Sequence, residues 1–162
     1  MSLTRPSLLD ASGRPGAYPG DMALSIEERQ AFLAEPHIGA LSIEAGADRA
    51  PLVVPIWYQY TPGGDLWFLT GADSRKMRLL DTAGRCSLMV ERLDPSIRYV
   101  AVSGPVIDTA PGTRADLVEM AARYLPAEKV DGYVEFAAAE HGTQTRVTVR
   151  TDQWVSADLG NV

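Results

Sequence analysis

Residues 67–76 join a run of strand formers, Trp67, Phe68 and Leu69, to a helix start through two hydroxyls, Thr70 and Ser74, and two adjacent cations, Arg75 and Lys76. Such a segment can hold an anion. The first backbone N–H groups of a helix have no acceptor within the helix and are oriented toward whatever lies before it. Arginine adds a planar fork of donors and lysine a mobile point charge, a combination suited to a phosphate monoester. The same residues also suit a plain helix cap, Asp73 or Ser74, followed by solvated surface charges.

The elements around this segment must position it. Residues 38–43 read as a strand, and 50–60 with 65–69 as a hairpin turned by Pro62, Gly63 and Gly64. Pro51 and Pro55 lie four apart, so both delete an N–H donor from the same lateral edge of their strand. That edge is expected to stay open or to face something other than a strand, either solvent or a flat ligand. Residues 74–82 form a short helix with Met77, Leu79 and Leu80 as its apolar positions, closed by Gly84. Strands follow at 85–91 and 99–109. A helix over 113–125 carries Leu117, Met120, Ala121 and Tyr124 on one stripe and stops at Pro126. A second helix covers 128–140, and 145–150 is the last strand, after which Trp154 and Val155 close the chain. These elements make an α+β chain whose strands form a small barrel or closed sheet with short flanking helices.

Residues 1–22 hold Pro6, Gly13, Pro15, Gly16, Pro19 and Gly20 without an apolar period and read as a flexible N-terminal arm. The ordered domain, 23–162, begins where Ser25 and Glu28 stand at capping-box spacing ahead of a helix that Pro36 terminates. At 162 residues the chain is long enough for one continuous core. The net charge of −6 argues against a nucleic-acid footprint, which needs a basic face. No apolar run approaches the roughly 18 residues that cross a bilayer, and no basic segment leads a hydrophobic one at the N-terminus. A cytoplasmic protein without membrane partners is the expectation. Cys86 stands alone in an alternating run and reads as a buried filler. His37 and His141 have no ligating neighbours at metal spacing, so no metal site is expected, and His37 reads as a satisfied side chain at a strand end.

The order Phe68, Leu69, Thr70, three residues, then Ser74, Arg75 and Lys76 resembles the FMN-phosphate segment of the pyridoxamine 5′-phosphate oxidase family. The likeness extends upstream through 51–58 and downstream through 86–90 and 99–106. It implies an FMN-binding split β-barrel and a homodimer in which both subunits line each flavin groove. The apolar strand residues Val54, Ile56, Trp57 and Tyr99 agree with such an interface. By the same resemblance the flavin rings lie along Val53, Val54, Pro55, Ile56, Trp57 and Tyr58. The phosphate meets Thr70, Ser74, Arg75 and Lys76, and Tyr99 sits beside the flavin. As aromatics, Trp57, Tyr58, Tyr99 and Trp154 are candidates to wall a planar small-molecule substrate. The implied activity is that of an oxidoreductase moving a hydride through flavin N5, with no side-chain nucleophile assigned. Two alternatives share the fold: a reductase using the deazaflavin coenzyme F-420, and a non-catalytic module holding flavin or haem.

Val53 stands where the oxidase has a flavin-contacting arginine, and 155–162 contains no Arg or Lys to meet a substrate phosphate. Oxidation of vitamin B6 phosphates is therefore not expected, since an unpaired buried phosphate is costly. Supplied with FMN, pyridoxamine 5′-phosphate and oxygen, the protein should release no peroxide above the no-substrate control. Sustained turnover to pyridoxal phosphate would refute this.

Overall fold

The computed structural model describes residues 22–160, so the expected N-terminal arm lies outside the described residues save for Met22. The first element, α1 (Ile26–Ala34), has the capping box: the Glu28 N–H donates to the Ser25 hydroxyl, and the Ser25 N–H to the Glu28 carboxylate. Then come β1 (Gly39–Ile43), β2 (Leu52–Ile56), β3 (Tyr58–Gln59), β4 (Leu66–Gly71), α2 (Arg75–Ala83), β5 (Arg85–Arg92) and β6 (Arg98–Pro111). The chain continues through α3 (Arg114–Tyr124), α4 (Ala127–Glu140), β7 (Gln144–Val149) and β8 (Gln153–Asp158).

All strand pairings are antiparallel, in the order β2, β1, β5, β6, β7, β4, β3, with β8 added on β6. The two end strands, β2 and β3, are separated in the chain by Trp57 alone. The sheet therefore curls until one chain segment supplies both of its ends. This corrects the hairpin expected over 50–60 and 65–69: only Tyr58 and Gln59 pair with β4, whereas Leu52–Ile56 pairs with β1. The strand β8 was not foreseen. It pairs with the first half of β6, and β7 with the second half, the register shifting between Val106 and Asp108. Gly104 permits this split, because a Cβ there would lie 1.8 Å from the Arg150 carbonyl oxygen where β7 passes into β8.

Alternation builds the interior. Along β5, Cys86, Leu88 and Val90 are buried while Arg85, Ser87, Met89 and Glu91 are exposed. They join Leu41, Phe68, Val100, Val147, Phe32 and Leu33 of α1, and Met77 and Leu80 of α2 in one core. Burial pushes the Cys86 thiol up to about 12, in keeping with an inert filler. A second, smaller cluster of Ala121, Val130 and Val134 joins α3 to α4. Polar contacts fasten this helical pair to the sheet. Arg146 of β7 donates to Asp116 of α3 at 2.8 Å and lies 4.1 Å over the Trp67 ring. Burial acts to raise the Asp116 carboxyl, but hydrogen bonds from Thr113 and Arg146 prevail and hold it below the usual carboxylate range.

The break at Trp57 leaves backbone groups that no strand partner serves, and Tyr124 serves them. The Tyr58 N–H donates to the Tyr124 hydroxyl at 3.0 Å, and that hydroxyl lies 2.9 Å from the Tyr58 carbonyl and 3.0 Å from that of His37. Tyr124→Phe removes the acceptor and the donor together, so it should cost about 1–3 kcal/mol of stability. Urea unfolding measures this, and an unchanged midpoint would show that the hydroxyl is not what holds the break.

Candidate functional site

The break in the sheet opens a groove of about 600 Å³ between the barrel and the helical pair. From the sheet come Pro55, Ile56 and Trp57 at the break and Leu69, Thr70 and Gly71 at the end of β4. Lys76 enters from α2, Leu117 and Met120 from α3, and Tyr133 from α4. The ring of Trp57 stacks on Tyr124 at 4.8 Å and meets Tyr133 at 5.1 Å, which sets one wall. The groove is unequal along its length. Ile38, Pro55, Ile56, Leu117 and Met120 make it apolar, while Thr70, Lys76, His141 and Gln144 supply its polar groups.

The order of elements creates the polar part. Ser74 caps α2: its hydroxyl accepts the Met77 N–H at 3.2 Å and lies 3.1 Å from that of Thr70, which is 2% exposed. The N–H groups of Arg75 and Lys76, in the first turn, have no intrahelical acceptor. When Ser74 donates to Thr70, the Thr70 proton is left for a ligand in the groove. Burial holds the Lys76 ammonium below the ordinary lysine range, and no ion pair among the described residues includes it. Partly burying a cation without a counter-charge carries a cost, and an anion in the groove is a group that Lys76 could hold.

Among the described residues the edge carrying the two prolines is open, since β2 pairs there with β1 alone. Pro55 stands opposite Ala40, and lacking an N–H it must occupy a non-hydrogen-bonded pair, which turns the Val53 N–H and C=O to the free side as well. Val53 and Val54 border a second, apolar recess of about 300 Å³ that shares Ile38 and Pro55 with the groove.

The twelve residues singled out in the sequence thus separate. Pro55, Ile56, Trp57, Thr70 and Lys76 line the groove, and Val53 and Val54 flank it. Ser74 supports it through Thr70, while Arg75 is exposed and outside its lining. Three aromatics go elsewhere. Tyr58 is fully buried, and its hydroxyl donates to the Leu33 carbonyl at 2.7 Å. Tyr99 stands on β6 between Glu91 and Ala157, and Trp154 packs edge-on against Tyr60 beneath the guanidinium of Arg29. The groove walls from α3, α4 and the turn before β7 were not foreseen. The apolar stripe of 113–125 announced burial but not its partner. His37 also differs from expectation: its Nε2 is buried 3.3 Å from Glu35 without a hydrogen bond, and burial holds the imidazole below its usual range.

No protein-family model matches the chain, and no curated protein does. Solved structures do. A conserved hypothetical protein from Mycobacterium tuberculosis is similar at 22% identity, with 86% of this chain and 88% of that one covered and a TM-score of 0.64. An F420 reductase is similar at 24% identity, with 77% and 94% covered and a TM-score of 0.60. A Clostridium acetobutylicum protein of the pyridoxinephosphate oxidase family, related to general stress protein 26, is similar at 12% identity, with 83% and 88% covered and a TM-score of 0.59. The curled antiparallel sheet, its split at Gly104 and these likenesses agree, and the chain has the split β-barrel fold of pyridoxamine 5′-phosphate oxidase-like proteins and deazaflavin reductases.

Proposed function

We propose that the groove seats FMN and that the protein is an oxidoreductase acting on a small planar substrate. One observation carries this reading: Lys76, half-buried and without an ion-pair partner among the described residues, stands beside Thr70 at a helix start, at the polar part of a groove whose remaining walls are largely apolar. A ligand that suits it has a flat apolar body and a short anionic tail. Bound FMN would supply hydride transfer, and the protein need only bind, orient and exclude water. Lys76, Thr70 and the first N–H groups of α2 hold the phosphate. The aromatic wall of Trp57 and Tyr133 and the aliphatic Ile56, Leu117 and Met120 keep water from the rings. The open edge of β2 presents the Val53 N–H and C=O to a ring bearing matching groups.

The deazaflavin coenzyme is the second reading, supported by the likeness to an F420 reductase. It carries a longer polyanionic tail, and among the described groove residues Lys76 is the one with a fixed positive charge. That favours FMN.

Replacing both Arg75 and Lys76 with alanine should weaken FMN binding about a hundredfold, because a charge-assisted contact contributes about 1.5–3 kcal/mol and tenfold corresponds to about 1.4 kcal/mol. Most of the loss should come from Lys76, since Arg75 is exposed. The single variant Lys76→Met should also raise the stability of the flavin-free protein, by on the order of 0.5–1 kcal/mol, as expected where a buried charge serves binding. Flavin fluorescence titration and thermal melts test the two halves. Unchanged affinity in the folded double variant would sink the phosphate seat.

A homodimer belongs to the same proposal, on altered grounds. Ile56 is buried in the core and Val54 packs partly against it. Instead, successive register pairs place Pro55, Ala40, Met89, Ala101 and Val155 in one row across five strands. Of this row, Met89 is 39% and Val155 58% exposed, with Val53 beside it 61% exposed. The row ends at Pro55, which also lines the groove, so a second copy on this face would reach the site. Sedimentation at micromolar concentration should show a dimer that Met89→Asp with Val155→Asp dissociates. A monomeric wild-type protein with flavin bound would overturn it.

A further inference from the structure

We propose that His141 is a second anion-contacting residue of the groove and that Gln144 is a positioning residue that holds it there; this rests on reading the groove as a flavin seat. Both line the groove together with Thr70, Gly71 and Lys76, yet they come from the far side of the helical insertion. The pairing of β4 with β7 brings them in. Gln144 stands in register with Gly71, and the Ala72 N–H donates to the Thr143 carbonyl at 2.9 Å. The turn 141–144 is thereby fastened to the turn that starts α2, the helix carrying Lys76.

Local bonds fix the turn itself. His141 ends α4, its N–H donating to the Ala137 carbonyl at 3.0 Å, and Gly142 reverses the chain at a φ of 61° that suits glycine. The Gln144 side-chain amide donates to the His141 carbonyl at 3.0 Å, while the Gln144 carbonyl accepts the Gly112 N–H at 2.8 Å. The imidazole rests edge-on against Phe136 at 5.5 Å. Its ring nitrogens have no hydrogen-bond or ion-pair partner among the described residues. His141, an exposed residue of the groove's lining whose ring keeps an unpartnered N–H donor, is tied by the backbone bond from Ala72 to Thr143 to the turn that leads into the lysine-bearing helix, and so offers a donor from a third element.

The chemical consequence is selectivity. A phosphate monoester offers three acceptor oxygens, and donors on separate elements can meet all of them only if that group is present. His141 therefore contributes to choosing a phosphorylated flavin over the same ring system without phosphate.

The test compares the affinity of the flavin-free protein for FMN and for riboflavin, which share a ring and differ in the phosphate, by fluorescence quenching. The wild type should prefer FMN by about a hundredfold or more. His141→Phe keeps an aromatic ring on Phe136 but removes the donors, and should lower that preference about tenfold with riboflavin affinity unchanged. His141→Lys should retain the preference, and Gln144→Ala should lower it by about threefold. An unchanged preference in His141→Phe, or equal weakening of both flavins, would overturn the role of His141. An unchanged preference in Gln144→Ala would overturn the positioning role. If Lys76→Met loses the preference while His141→Phe keeps it, the flavin seat stands and only this inference falls; if the wild type binds neither flavin, both fall.

Discussion

The Tyr124 hydroxyl at the Trp57 break is the contact on which the rest of the molecule depends. A sheet whose two ends come from one segment must leave its ladder somewhere, and backbone groups stranded there need partners. Tyr124 accepts the Tyr58 N–H and lies within hydrogen-bond reach of the Tyr58 and His37 carbonyls. Because Tyr124 ends α3, the barrel cannot satisfy its own closure without the helix that follows β6. The next residue back extends the same tie. Arg123 donates to the Leu33 and Glu35 carbonyls at the end of α1 and lies 4.9 Å over the Tyr58 ring. Closure of the barrel, docking of α1 and one wall of the groove thus share two adjacent residues.

The described cations differ in how their charge is met. Arg92, Arg98, Arg114, Arg146 and Arg150 each meet a carboxylate, in Glu35, Asp158, Glu135, Asp116 and Asp152. Lys76, like several exposed cations, meets none among the described residues, although the chain has six more acidic than basic side chains; unlike exposed Arg75 it is partly buried. An acidic protein could readily have supplied a partner. A partly buried lysine at a helix start, without an ion pair among the described residues and with its ammonium held below the ordinary range by burial, is the kind of perturbed group that clusters at functional sites.

What the sequence disclosed follows from how local each signal is. The cap of α2, the apolar positions Met77 and Leu80 and the open edge beside Pro51 and Pro55 depend on residues a few positions apart, and they appear as expected. The break at Trp57 was hidden for a physical reason: Ile56, Tyr58 and Tyr60 are all buried, so the alternation runs through it without a fault. The strand β8 was hidden by composition, since Gln153, Ser156 and Asp158 dilute its apolar pattern. Tyr99 and Trp154 stand outside the lining of the groove. Side-chain type gives the propensity to be covered, whereas the covering surface is decided by pairings such as Tyr99 with Ala157 that no local pattern encodes.

The groove is the seam between two units of unequal strength. The barrel and its two flanking helices share one extensive apolar core, while α3 and α4 hold together through a handful of residues around Ala121 and Val134. So small a cluster cannot fix the helical pair alone, and its seat on the barrel is set by the packing of Trp57 against Tyr124 and Tyr133 together with directional polar contacts. These are Asp116 with Arg146, the Gln59 amide on the Glu119 carbonyl at 2.7 Å, and the bonds of Arg123 and Tyr124. Directional contacts define a spacing where an apolar surface alone would collapse. The slot beside Trp57 lies between these two units, and Lys76 is brought to it by the strand-to-helix turn that Thr70 and Ser74 hold.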